Sequence, residues 1–79
     1  MIDWQYLAIE DIVGERFNQD AQWGGEKTDD SRTYIQWLNF IQYQQTRALH
    51  ADKRRDAFVK IAALALAAIE SIDRKGSQS

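Results

Sequence analysis

Residues 57–72, AFVKIAALALAAIESI, decide the fold of this chain. Apolar side chains recur along them every three or four positions, which is the spacing of an α-helix, and further apolar side chains lie on its other sides. Only Lys60 interrupts the apolar surface over residues 57–69. A helix without a polar stripe must be enclosed by neighbours, and its many alanines let another backbone come close. We therefore expect a long, Ala/Leu-rich C-terminal helix at the centre of an all-α bundle.

Two more helices and a loop are predicted before this helix. Apolar residues at helical spacing indicate a first amphipathic helix, and a second helix should turn Tyr34, Trp37 and Leu38 inward. Between them, DAQWGGEKTDD loses the periodicity and contains a glycine pair, which predicts a loop. The result is a small three-helix bundle in one domain over 1–79: helix about 2–19, loop 20–30, helix about 31–49, helix about 52–74 and a frayed tail 75–79.

The size of the chain predicts self-association. A domain of 79 residues buries only about 60–70% of its unfolded surface, and two other helices would hardly cover the central one. We therefore expect a homo-oligomer. The absence of cysteine excludes disulfides and thiolate metal sites.

The chain shows none of the sequence features of a membrane or exported protein. The apolar run is shorter than the roughly 20 residues that cross a bilayer. The N-terminus has Asp3 and no basic region of the kind that begins a signal peptide. We expect a cytoplasmic protein with no membrane association.

Charge is divided unevenly along the chain. Residues 1–30 hold eight acids and two bases, whereas residues 31–79 hold four acids and eight bases. This division favours packing of an acidic first helix against basic later helices, with a charged binding face as the alternative. The net charge of −2 and one short basic cluster do not supply the phosphate neutralisation of generic DNA binding.

Three groups of residues are candidates for a site. Trp23, beside two glycines, is either a hydrophobic plug over the bundle end or a platform for a nucleobase. The cluster Lys53, Arg54 and Arg55 begins the last helix, where bases and free backbone N–H groups suit a phosphate, although pairing with the first helix explains it equally. Glu70 and Asp73 share a helix face and could bind Mg²⁺, or remain on a solvated surface.

Two segments resemble a known family. ERFNQDAQWGG at 15–25, followed by the acidic pair Asp29 and Asp30, and FVKIAALALAAIESIDRK at 58–75 are similar to small phage and prophage proteins described as MazG-like. The resemblance covers about half of the chain, and WLNFIQYQQTRAL at 37–49 looks like a shortened form of the family's middle segment. It implies an all-α protein related to dimeric or tetrameric nucleoside triphosphate pyrophosphohydrolases.

The resemblance also implies a metal site, but only in part. MazG-type enzymes hold Mg²⁺ with an EExxE segment on one helix and an ExxD segment on the next. Glu70 and Asp73 match ExxD, whereas the helix that should carry EExxE offers glutamines. Glu15, Asp20, Asp29 or Asp30 could supply further oxygen ligands.

These observations lead to three functional hypotheses. The first is a phage-encoded, non-catalytic binding protein of MazG-like ancestry that acts on a nucleotide or a host defence protein. The second is a Mg²⁺-dependent nucleoside triphosphate pyrophosphohydrolase that uses Glu70, Asp73 and Glu15, and the third is a structural oligomerisation module. Under the first, Trp23 stacks the base and the other ligand-binding residues are Arg16, Gln19, Asp20, Asp29, Asp30, Lys53, Arg54 and Arg55.

Overall fold

Four helices make up the computed structural model, which describes residues 1–78: α1 Trp4–Trp23, α2 Glu26–Ser31, α3 Tyr34–Arg47 and α4 Arg54–Gln78. The first three each pack on α4. The prediction that the Ala/Leu-rich C-terminal helix lies at the centre of a small all-α bundle is therefore confirmed. Within the described residues, no helix is both long enough and apolar enough to cross a membrane.

The predicted loop over 20–30 is mostly helical. α1 continues to Trp23 and ends at Gly24, whose φ of 94° is left-handed and whose N–H donates to the Asp20 carbonyl at 3.1 Å. Gly25, also at positive φ, then leads directly into α2. The glycine pair thus makes a tight turn between two helices. The six residues of α2 are too few to show a helical period in the sequence.

The boundaries of α3 and α4 also differ from the prediction. α3 begins after Thr33, which forms a capping box with Gln36, so its first helical residue is Tyr34. α4 continues to Gln78, past the predicted end at 74. The side chain of Lys75 donates to the Arg32 carbonyl at 3.4 Å, which helps to hold the last turns against the rest of the bundle. Of the predicted tail 75–79, residue 79 lies outside the described residues.

The apolar interior is small. Among the described residues, the buried hydrophobic side chains are Trp37, Ala57, Ala63 and Ala67. Tyr34 and Leu38, predicted to turn inward, are 72% and 58% exposed. They are exposed because α3 packs on α4 with the side that carries Trp37.

The first helix turns its polar side toward α4. Its apolar residues Tyr6, Ile9, Val13 and Phe17, which we call the α1 apolar stripe, are 40–69% exposed. The buried residue of α1 is instead Arg16. The bundle is therefore held together by a polar interface on one side, and it leaves an apolar surface uncovered on the other.

Candidate functional site

Arg16 joins three helices. Its guanidinium on α1 contacts Asp20 one turn later, the Asp29 carboxylate of α2 at 3.1 Å and the Glu70 carboxylate of α4 at 2.9 Å. Arg16 and Asp29 are both buried. Three carboxylates around one arginine form a charge-assisted network, which is stronger than separate neutral hydrogen bonds. We call these four residues the Arg16 cluster.

Charge in the Arg16 cluster is set by burial and by its partners. Burial lowers the pKa of Arg16, but hydrogen bonds to Asp20 and Glu70 outweigh it and hold that pKa above its usual value. Burial is the largest influence on the pKa of Asp29, and burial together with the nearby Asp20 carboxylate raises that pKa against the lowering by Arg16, Arg32 and Arg74. Of the three carboxylates in the cluster, Asp29 is the most buried and therefore loses the most hydration free energy on folding.

The other acid of the pair in α2 binds α4. Asp30 accepts hydrogen bonds from Arg74 at 2.8 and 3.1 Å and from the Ser71 hydroxyl at 3.0 Å. The bond from Arg74 is the main reason why the pKa of Asp30 lies below its usual value. Asp29 and Asp30 thus fasten the short α2 helix to α1 and α4 respectively.

Complementary charge lines the contact between α1 and α4. Arg55 contacts Asp11 at 2.7 Å, and Lys60 contacts Glu15 at 3.0 Å. These pairs confirm that acids of the first helix pack against bases of the last. Arg54 donates instead to the Ala48 carbonyl at 3.0 Å, just beyond the end of α3.

A cavity of about 270 Å³ opens between α1, α3 and α4. Four aromatic side chains line it: Trp23 at the end of α1 and Trp37, Phe40 and Tyr43 on α3. The Trp23 ring lies 6.4 Å from that of Phe40 and is 54% exposed, so it forms a wall of the cavity and is not a buried plug. An open cavity with aromatic walls is the usual form of a small-molecule site.

Arg32 lies among these aromatic rings. Its guanidinium carbon is 4.8 Å from the centre of the Phe40 ring, 5.6 Å from that of Trp37 and 5.8 Å from that of Trp23. These are distances at which a cation is attracted to the face of a ring. The nearest carboxylate oxygen of Asp29 is 3.8 Å from Arg32 Nε. Arg32 therefore has three aromatic rings within cation–π distance and no carboxylate within hydrogen-bonding distance.

Two buried polar atoms of residues that line the cavity lack hydrogen-bond partners. Among the described residues, Gln19 Oε1 and Arg32 Nε are the buried side-chain atoms without a hydrogen-bond partner, and both residues line the cavity. Such an atom costs about 1–3 kcal/mol when it is removed from water unpaired. A ligand that supplies one acceptor and one donor would recover part of that cost.

The structure does not assemble the predicted metal ligands. Among residues 1–78, no three His, Cys, Asp or Glu side chains form a group able to hold a metal ion. Glu70 contacts Arg16 and Glu15 contacts Lys60, so each faces a cation of the chain itself. Glu70 of the ExxD element does converge with Asp20 and Asp29, but on the guanidinium of Arg16.

The predicted ligand-binding residues lie in three places. Trp23, Arg16, Gln19 and Asp29 line the cavity, while Asp20 and Asp30 hold α1 and α2 through ion pairs. The cluster Lys53, Arg54 and Arg55 lies at the other end of α4 and does not line the cavity.

Other cavity residues were missed. Phe40 and Gln44 share the α3 face of Trp37 at spacings of three and four, a signal that the sequence contains. Arg32 follows a short helix and gives no periodic signal.

Comparison with protein-family models, curated proteins and solved structures finds no match to this chain. Its function must therefore be argued from its own residues.

Proposed function

We propose that this chain is a phage-encoded, non-catalytic protein of MazG-like ancestry that binds a nucleotide in the aromatic cavity. The observation that carries the proposal is the cavity of about 270 Å³, with four aromatic side chains and two unpartnered polar atoms at its wall. Bases stack on tryptophan and tyrosine with a gain of about 1–3 kcal/mol each. Trp23 is exposed enough to receive one.

Binding without hydrolysis fits the charges better than catalysis. A pyrophosphohydrolase would need Glu70 and Glu15 to hold Mg²⁺, but Arg16 and Lys60 already neutralise these carboxylates at 2.9 and 3.0 Å. A divalent ion would have to displace both bases, and displacing Arg16 would leave the buried Asp29 carboxylate without its nearest cation. Binding of a base requires neither change.

The test is calorimetric titration with nucleoside triphosphates and cyclic nucleotides, with and without Mg²⁺, while pyrophosphate release is measured in the same samples. We expect binding without release, and loss of binding in Trp23→Ala. Trp4→Ala is the matched control, because Trp4 is 74% exposed and does not line the cavity. Release of pyrophosphate would favour the hydrolase. If no nucleotide binds, the proposal is refuted, and the host defence protein becomes the target to seek by pull-down.

A second role, self-association, has its own supporting observation. The α1 apolar stripe is exposed, and the buried apolar side chains of residues 1–78 are one tryptophan and three alanines. A domain with so small a core gains stability by covering apolar surface with another copy. We expect light scattering to give a multiple of the 9.2 kDa chain mass, and Phe17→Asp to lower it. Asn18→Asp, at the neighbouring exposed position, is the control; a monomeric wild-type chain would exclude this role.

A further inference from the structure

We infer that the cavity receives the uncharged ring of its ligand and leaves any phosphate in solvent, with Arg32 and Gln19 recognising the polar edge of that ring. This inference rests on the proposed function, because it assumes that the cavity is the ligand site. It differs from a triphosphate-binding site in what provides the affinity: ring stacking and two hydrogen bonds, without a contribution from phosphate charge.

The first argument is that two of the three cations that line the cavity, Arg16 and Lys60, are already held by carboxylates at hydrogen-bonding distance. Arg16 contacts three carboxylates, and Lys60 contacts Glu15 at 3.0 Å and Asp56 at 3.8 Å. A phosphate could reach either base only by breaking an ion pair.

The basic cluster at residues 53–55 lies away from the cavity. Arg55 is paired with Asp11 at 2.7 Å, and Arg54 is bonded to the Ala48 carbonyl. Neither lines the cavity. Among the described bases that do, Arg32 alone has no carboxylate within hydrogen-bonding distance, and its position among the aromatic rings places it against a stacked base. This arrangement separates the aromatic site from the N-terminal end of α4.

The second argument is size. Sites that enclose drug-sized ligands measure about 300–1,000 Å³, whereas this cavity measures about 270 Å³. It has room for one ring system but not for a ring together with its sugar and three phosphates. The volume and the charge therefore lead to the same conclusion.

The third argument concerns the edge of the ring. Arg32 Nε is a buried donor without an acceptor, and Gln19 Oε1 is a buried acceptor without a donor. A ring that carries both an acceptor and a donor, as a nucleobase does, offers each atom the partner that it lacks once the side chain turns toward the ligand. The Arg32 guanidinium can also stack on such a ring, because it is planar and already lies among aromatic faces. The matching ligand is thus a nucleobase or its nucleoside.

The test uses the wild-type chain and the four ribonucleosides with their mono- and triphosphates, titrated at low and high salt. For the base that binds best, we expect Kd values within about threefold across phosphate number and little change with salt, because no phosphate contact is made. Affinity that rises more than about tenfold with phosphate number, or falls steeply with salt, would overturn the inference. If the wild-type chain binds no compound of the series, the proposed function itself fails.

Two variants test the edge. Arg32→Lys keeps the charge but removes Nε, and Gln19→Leu removes the acceptor; we expect each to weaken nucleoside binding about tenfold, close to the loss of one hydrogen bond to a buried group. Arg55→Met, away from the cavity, should bind as the wild type does. Circular dichroism establishes that each variant is folded, and the two substitutions are judged separately. Wild-type affinity in either folded edge variant would overturn the role of that residue.

Discussion

Replacing Arg16 by methionine should destabilise the protein strongly, because it leaves the Arg16 cluster without its cation. Breaking a buried ion pair by removing one partner costs about 3–5 kcal/mol. Asp29 is 7% exposed, but Asp20 and Glu70 are 37% and 42% exposed and can turn to water. The loss of unfolding free energy therefore comes mainly from Asp29, and we expect a value at the lower end of that range, about 3 kcal/mol.

That loss is large for this chain. Domains have unfolding free energies of about 0.05–0.15 kcal/mol per residue, or about 4–12 kcal/mol for 79 residues. The midpoint of thermal unfolding should fall by about 12–24 °C, since each kcal/mol shifts a domain of this size by about 4–8 °C. Urea and thermal unfolding followed by circular dichroism, at one fixed protein concentration, measure both quantities.

Arg55→Met is the matched control. It removes an arginine that bonds a carboxylate at 2.7 Å, but the two side chains are 69% and 52% exposed, so we expect a cost of about 0–1 kcal/mol. The loss in Arg16→Met should also shrink as the pH falls. Without Arg16 the pKa of Asp29, already raised by burial, rises further, so proton uptake by the folded state stabilises the variant in acid. Equal losses in the two variants, or no pH dependence of the difference, would refute this reasoning.

Two further substitutions test how α2 is held. The bond from Arg74 lowers the pKa of Asp30. Asp30→Asn should therefore show its full loss of stability above about pH 4, and the loss should disappear as the pH falls through the lowered pKa. Thermal unfolding at a series of pH values measures this difference, and a difference that does not change with pH would contradict the prediction. Gly24→Ala should cost about 1–2 kcal/mol, because φ is 94° and the new Cβ would lie 2.5 Å from Thr28 Oγ1. Gly14 lies inside α1, and a Cβ added there would meet no atom within 4 Å, so Gly14→Ala should leave the free energy of unfolding unchanged or raise it. Urea unfolding measures both glycine variants, and a larger loss in Gly14→Ala than in Gly24→Ala would contradict the argument.

The central helix could be predicted because its pattern has one explanation. A run with Lys60 as its single charge before Glu70 needs neighbours on several sides, and α1, α2 and α3 all pack on it. The expected enclosure is incomplete, because Phe58, Ile69 and Ile72 are 55–64% exposed. The orientation of α1 could not be predicted in this way. Periodicity finds its apolar stripe but cannot show that ion pairs such as Lys60 to Glu15 attach the opposite face to α4.

The candidate site was only partly predictable for a related reason. Trp23 and Gln19 stand out in the sequence because of their neighbours, and both line the cavity. Arg32 is positioned by the turn between α2 and α3, so its approach to three rings depends on tertiary packing. The basic cluster at 53–55 looked suited to phosphate, but sequence could not show that Arg54 and Arg55 have partners elsewhere.

The Arg16 cluster has a consequence for the conditions in which the fold persists. A dissolved divalent ion between carboxylates is in equilibrium with its surroundings, so dilution or a chelator removes it and weakens the structure it supports. The cation among Asp20, Asp29 and Glu70 is covalently part of α1 and is present at the same local concentration in every folded molecule. The junction of α1, α2 and α4 therefore keeps its cation on dilution and in the presence of a chelator.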